Sequence, residues 1–430
     1  MSNSMKREIG LAGAIMMGLG SILGTGVFVS IGIAAGVAGA NVLPAIFFAS
    51  LLAICNGLSS AQLAASHPVS GGTYEYGYRW LNPTLGFLAG WLFMCAKSAS
   101  AATALLGLAG YLCTATMGSN HRSDLLLIVL ALVTLLVLMI LALVGIKRTS
   151  VVNSLIVTTT LASLGLFVWF GFPSAFLRAD KNLSGLMVID KQASMDLLQA
   201  TALMFVAYTG YGRIATLGEE VSSPRQTIPR AIIVTLAATM TLYLTVGLVG
   251  VALVGPQELA LSAKTSLAPL LYAAQSLNKP WLNSVLLVGA ITAMLGVVLN
   301  LILGLSRVAM AMARRNDLPR SFSAVNDRGV PQSATILVAV IIGGLVLLGD
   351  VKVSWSFSAF TVLLYYSVTN LCAISIEKES RLYPLWISWV GLVGCLSLAF
   401  WISPKIVFIG LIVLLIGLFL RAGLKAISKP

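Results

Sequence analysis

Long apolar stretches separated by short polar ones run the length of this chain. Between residues 9 and 74 no Asp, Glu, Lys or Arg occurs. That is enough for two helices of the roughly 20 residues that cross a bilayer's hydrocarbon core. Gly39, Ala40 and Asn41 supply the turn between them. Further runs cover residues 80–121 (interrupted by Lys97), 125–146, 149–177, 197–212, 231–257 and 280–306. The last third adds 329–349, 353–376, 382–404 and 406–420. The pattern predicts about twelve spans. The runs are continuous and lack the apolar–polar alternation of barrel strands, so they are expected to be helices.

Composition agrees with an all-α polytopic membrane protein. Of 430 residues, 58% are hydrophobic and 10% charged, with a mean hydropathy of +0.96. A soluble domain carries about a quarter charged residues. The net charge of +13 would suggest nucleic acid in a soluble protein. Here, with the N-terminus placed in the cytoplasm, 18 basic residues fall on the inner side and 8 on the outer, and Lys97 completes the 27. This bias follows the positive-inside rule and an even span number, with both termini cytoplasmic. The charge therefore implies orientation and attraction to anionic lipids of the cell membrane, with no nucleic-acid partner.

The first apolar run is too long for a signal-peptide core and continues into a second helix. No loop exceeds about two dozen residues, so residues 1–430 are expected to form one membrane domain. Five cysteines lie in or beside apolar runs without a CxxC pair, as small packing residues do. His67 and His121 sit beside no carboxylate pair, so neither metal nor cofactor is expected.

Two spans are interrupted. The first contains Gly18-Leu-Gly-Ser-Ile-Leu-Gly-Thr-Gly-Val-Phe28, and the sixth contains Phe205-Val-Ala-Tyr-Thr-Gly-Tyr-Gly212. Glycine is costly inside helices, and unwound backbone within a membrane must face protein or a wet cavity. Close helix packing through small residues is the competing explanation for either segment alone. A matched pair in corresponding places points instead to a transporter with a midplane site. Free N–H groups at one half-helix end attract an anion, and free carbonyls at another attract a cation. Two such breaks could hold a zwitterionic amino-acid backbone without any charged side chain.

The chain resembles amino-acid permeases of the amino acid–polyamine–organocation superfamily, which have the leucine-transporter-like fold. The matching segments are Gly20–Phe28 in helix 1, Pro68-Val-Ser-Gly-Gly-Thr-Tyr-Glu-Tyr76, Pro83-Thr-Leu-Gly-Phe-Leu-Ala-Gly-Trp91, Gly218–Arg230 after helix 6, and Ser306-Arg307 with Ala311-Met-Ala-Arg314. The resemblance implies an inverted repeat of helices 1–5 (residues 9–177) and 6–10 (192–376), with helices 11 and 12 (382–422) peripheral. It implies that N–H groups of Thr25 and Gly26 bind the substrate carboxylate, with Gly24 allowing close approach. Carbonyls at Ile22 and from Phe205 through Val206 and Ala207 to Tyr208, beside Gly210, would hold the ammonium. Where the family often carries an aromatic gate, this chain has Val206, with Phe205 and Tyr208 nearby.

Lys97 is the one Lys, Arg, Asp or Glu near the centre of a span. A charge there is a functional candidate by default. It could meet an acceptor on the substrate side chain, act as a proton carrier whose amine takes up and releases a proton, or snorkel to carbonyls. The resemblance places the usual proton-coupling lysine at Thr160 here, so that lysine is missing. A sodium site would want several oxygens, and helix 8 offers Thr292 alone at that level. Exchange against a counter-substrate, facilitated diffusion, and proton coupling moved to Lys97 stay open. Glu219, Glu220, Arg225 and Arg230 after helix 6, with Tyr74, Glu75, Tyr76 and Arg79 after helix 2, could form an inner gate or a solvated loop.

An enzyme is not expected, because no nucleophile–base pair or phosphate-binding Gly-Lys-Ser/Thr motif occurs. A channel or receptor would want a filter or ring of charges, and one lysine does not make one. The expected function is secondary active transport or exchange of amino acids by alternating access. The alternatives are transport of a polyamine or other organic ion on the same fold, or a channel- or receptor-like role. Substrate identity and oligomeric state are not legible.

Overall fold

The computed structural model describes residues 9–68, 71–117, 123–145, 150–187, 190–216, 220–326 and 329–427. Helices occupy nearly all of them, and one isolated bridge joins Ile9 to Val221. Apolar runs that must satisfy their own backbone within a bilayer become helices.

Helix 1 comes in pieces, Leu11–Ile22 and then Thr25–Phe28 leading into Ser30–Ala38. The Gly39–Asn41 turn follows, with Gly39 at φ +58, and leads into helix 2 at Val42–Ser66. A short helix, Thr73–Trp80, precedes helix 3 at Pro83–Met117. Helix 4 is Asp124–Val144 and helix 5 Ser150–Asn182. Helix 6 runs Lys191–Tyr208, tightens into a 3-10 turn at Thr209–Tyr211, and finishes at Gly212–Ala215. Helix 7 is Pro224–Val254, and two short helices, Pro256–Thr265 and Pro269–Gln275, lead to helix 8 at Pro280–Arg314. Helices 9 to 12 are Gln332–Leu347, Val351–Ile374, Leu385–Phe400 and Pro404–Ile427.

Eight stretches among the described residues are long and apolar enough to cross a membrane. Three shorter apolar helices and the interrupted helix 6 bring the bundle to the twelve spans read from the sequence. The chain is an all-α polytopic membrane protein.

Local chemistry sets where helices start. Asp190 accepts the N–H of Ala193 at 2.7 Å at the start of helix 6, and Asp350 accepts that of Val353 at 2.9 Å at the start of helix 10. Proline opens helices 7 and 8, where its missing N–H costs nothing.

Packing sorts helices by depth. The most apolar windows of helices 3 and 10 are 83% and 78% buried, against 28% and 22% for helices 4 and 12. Helices 3 and 10 therefore make the centre, and helices 4 and 12 turn mostly to lipid.

Helix 12 is nonetheless tied to the interior near its C-terminal end. Arg421 donates from Nε to Asp317 at 2.9 Å, and its other nitrogens reach the Pro83 carbonyl at 2.6 Å and the Thr84 hydroxyl at 3.1 Å. Asp317 also accepts from Tyr74 at 2.9 Å and from Tyr78. A buried pair satisfied on this scale locks the loop after helix 8, the Thr73–Trp80 helix, helix 3 and helix 12 together.

Candidate functional site

The interruption in helix 1 is a true break. Leu23 N–H still bonds Leu19, but Leu23 (ψ 111) and Gly24 (φ 175, ψ −128) are extended. The ladder restarts when Val27 and Phe28 both bond Gly24 O at 3.1 Å. The N–H groups of Thr25 and Gly26 thus lie in a first turn, where no intrahelical acceptor exists. The Thr25 hydroxyl is buried and has no hydrogen-bond partner.

Helix 6 is tightened rather than unwound. Thr209 N–H bonds Val206 O, three residues back instead of four, which releases Phe205 O from its α-helical partner. The Thr209 hydroxyl bonds the same Val206 carbonyl at 2.8 Å.

The two interruptions cross at close range. A Cβ added to Gly210 would lie 2.3 Å from Ser21 O, and one on Gly26 would lie 2.8 Å from the Ala207 Cβ and 2.9 Å from the Tyr243 hydroxyl. Gly24 faces Val297 of helix 8 at 2.8 Å in the same sense. Gly210 meets backbone, Gly24 and Gly26 meet side chains first, and none of the three has room for a Cβ.

A cavity of about 40 Å³ lies at this crossing. Ser21, Ile22, Thr25 and Gly26 line it from helix 1, and Val206, Ala207, Thr209 and Gly210 from helix 6. Helix 3 adds Lys97 and Ser100, helix 8 adds Val297 and Leu301, and helix 10 adds Trp355. That volume is little more than one water's share of liquid, so the space at the crossing is narrow, and Ser21, Ser100, Gly210, Val297 and Leu301 in its wall are only partly buried. A larger cavity of about 510 Å³ lies between helix 2 and the start of helix 6, lined by residues such as Leu43, Phe47, Leu186 and Leu197. Its nearly wholly apolar wall offers nothing to an amino acid's charges.

Lys97 is 8% exposed, and its Nζ donates to the Thr209 hydroxyl at 2.8 Å. No carboxylate lines the cavity, and no group of three or more metal-binding side chains occurs among the described residues.

The crossing thus gathers Ile22, Thr25, Gly26, Lys97, Val206, Ala207 and Gly210, with Gly24 just behind. Two aromatic side chains near the break turn elsewhere. The Phe205 ring packs edge-on against Tyr366, and the Tyr208 hydroxyl reaches Ile46 O at 3.3 Å, so neither caps the cavity. Trp355 is the aromatic in the wall, fixed by its indole N–H on Leu203 O at 3.0 Å. Ser100, Val297, Leu301 and Trp355 in the wall, and Tyr243 behind it, are residues the sequence did not single out. The Tyr243 hydroxyl lies 3.0 Å from Ile22 O and 3.3 Å from Ala207 O, spanning both breaks. A polar aromatic in an otherwise apolar run was the available sign.

Thr160 and Thr292 stand apart from the cavity. Thr160 bonds Ile156 O, and Thr292 bonds Val288 O and Gly289 O, each within its own helix. Glu75 pairs with Arg315 at the end of helix 8, and Arg79 bonds the ring of His67 at the end of helix 2 at 3.0 Å. Glu219 lies outside the described residues.

An amino acid permease family profile matches residues 13–429. An uncharacterised transporter of Mycobacterium tuberculosis is 37% identical over 96% of this chain and 90% of its own length. A branched-chain amino acid permease of Bacillus subtilis is 27% identical over 85% of this chain and 80% of its own length. A methylthioribose transporter of the same organism is 27% identical over 88% and 83%. The chain belongs to the amino acid permease family of the amino acid–polyamine–organocation superfamily.

Proposed function

We propose that this chain carries amino acids across the cell membrane by alternating access, with the substrate backbone held where helices 1 and 6 are interrupted. The observation that carries this reading is the Thr25 hydroxyl, buried without a partner at a cavity edged by backbone N–H groups. A carboxylate is the group that would satisfy Thr25 and the N–H groups of Thr25 and Gly26 together. The ammonium would reach Ile22 O and the carbonyls from Phe205 to Ala207, two of which accept from the Tyr243 hydroxyl. A polyamine has no carboxylate to use those donors.

Relatives named for amino-acid transport support the substrate class. On this reading residues 9–177 and 192–376 are the inverted repeats, 382–422 the added helices 11 and 12, and both termini are cytoplasmic. Alternating access requires this narrow cavity to open to each side of the membrane in turn. Proton coupling, exchange against a counter-substrate and facilitated diffusion are separated by the same assay. Purified protein in liposomes loaded with unlabelled amino acid is expected to accumulate labelled amino acid by counterflow. No counterflow with any member of a full amino-acid panel would overturn the reading.

A further inference from the structure

Buried charge in this molecule comes in two forms. Asp317 and Arg421 are both sequestered and both saturated, the carboxylate by two tyrosines and the guanidinium, the guanidinium by that carboxylate, a carbonyl and a hydroxyl. Lys97 is as deeply buried but has one acceptor, Thr209, whose own proton is spent on Val206 O. An ammonium has three donors, so two face a cavity whose wall holds no acid. Beyond the cavity, Arg213 follows Thr209 by one helical turn and lies close enough to Arg307 of helix 8 to feel its like charge, with Glu220 as the acid acting on it.

We propose that Lys97 is the side-chain subsite for a second carboxylate, which makes dicarboxylic amino acids the preferred substrate class. This rests on the amino-acid reading above and deepens it. The α-carboxylate takes the Thr25 and Gly26 donors, and the side-chain carboxylate takes the donors Lys97 leaves open. A cationic side chain would place like charge beside Lys97, and juxtaposed like charges suppress binding strongly.

The test is uptake of labelled aspartate, glutamate, asparagine, glutamine, leucine and lysine into proteoliposomes by wild type, Lys97→Met and Lys97→Arg. Wild type is expected to favour an acidic substrate over its amide and over leucine by about 10-fold, and over lysine by about 100-fold. Lys97→Met should lose the preference for acid over amide, and Lys97→Arg should keep it. Should Lys97→Met be inactive in uptake, thermal stabilisation by added amino acid decides in its place: loss of stabilisation by aspartate with retention of that by alanine supports the subsite. Retained aspartate stabilisation or an unchanged acid preference in Lys97→Met overturns it. Wild-type uptake of neutral or cationic amino acids in preference to acidic ones also overturns it and leaves amino-acid transport standing. Absence of all amino-acid uptake removes both.

Discussion

Replacing Gly210 by alanine tests the crossing of the two interrupted helices directly. The added Cβ would sit 2.3 Å from Ser21 O, 2.5 Å from Ser21 C and 2.7 Å from a carbon of Ile22. Carbon atoms rest about 3.5–4.0 Å apart, so helix 6 and the end of the first half of helix 1 must separate by about 1 Å. Overpacking of this kind costs about 1–3 kcal/mol, which a twelve-helix bundle should survive. A 1 Å misplacement of binding groups, in contrast, can cost about 100-fold in rate. Gly210→Ala is therefore expected to purify as a monodisperse, folded protein with uptake lowered by about two orders of magnitude. Gly304→Ala on helix 8 is the control, since a Cβ there meets nothing within 4 Å. Uptake by Gly210→Ala at the rate of the control would refute the claim that substrate is held at this crossing.

Thr25→Val removes a buried hydroxyl that has no hydrogen-bond partner. Thermal stability in detergent should hold or rise, because an unmet buried group costs about 1–3 kcal/mol, while uptake falls; a parallel loss of both would make Thr25 structural. Tyr243→Phe frees the carbonyls of Ile22 and Ala207 for the substrate ammonium, so KM should fall by up to about 10-fold, and a raised KM would count against competition. Asp317→Asn leaves Arg421 buried without its ion-pair partner, and the melting transition should drop by the equivalent of about 3–5 kcal/mol; an unchanged transition would show the pair to be unimportant. Burial, and then the Arg79 charge, lower the His67 pKa below its ordinary 6.5. The neutral ring that accepts from Arg79 is thus complete above that value and lost as pH falls below it. Trp80 packs edge-on to His67 at 6.0 Å, so the His67-dependent part of the fluorescence titration should have its midpoint below pH 6.5 and vanish in His67→Gln.

The spans, the turn at Gly39–Asn41 and both interruptions were legible because hydrophobic runs and glycine–hydroxyl clusters are properties of neighbouring residues. Lys97 was legible for a related reason, as a charge stranded among apolar positions. Direction was harder. Phe205 and Tyr208 flank the helix 6 turn, yet their side chains leave the cavity, and Trp355, Val297 and Leu301 enter it from helices 8 and 10. An aromatic or aliphatic residue in a membrane helix has the same pattern whether it meets lipid, another helix or a cavity. The partners of Asp317 were equally hidden, since Tyr74 and Arg421 lie 243 and 104 residues away along the chain. Only the packed bundle brings them together.

The balance of donors and acceptors at the crossing also bears on how a substrate is gripped. On the acceptor side, Tyr243 covers Ile22 O and Ala207 O, and the Thr209 side chain covers Val206 O. On the donor side, the Thr25 hydroxyl has no partner, Thr25 and Gly26 have N–H groups in a first helical turn, and Lys97 has used one of three donors. The crossing is thus rich in open donors, and Phe205 O is the acceptor that the helix 6 turn leaves free. An anionic group can bind by meeting groups that are otherwise unsatisfied, while an ammonium at Ile22 O or Ala207 O must first displace the Tyr243 hydroxyl. Unequal cost of this kind makes the carboxylate end of a substrate the anchor and the amine end the adjustable contact. If the two interruptions hold the substrate backbone as proposed, selectivity falls to the few side chains around them, and Lys97 is the charged residue among those lining the cavity.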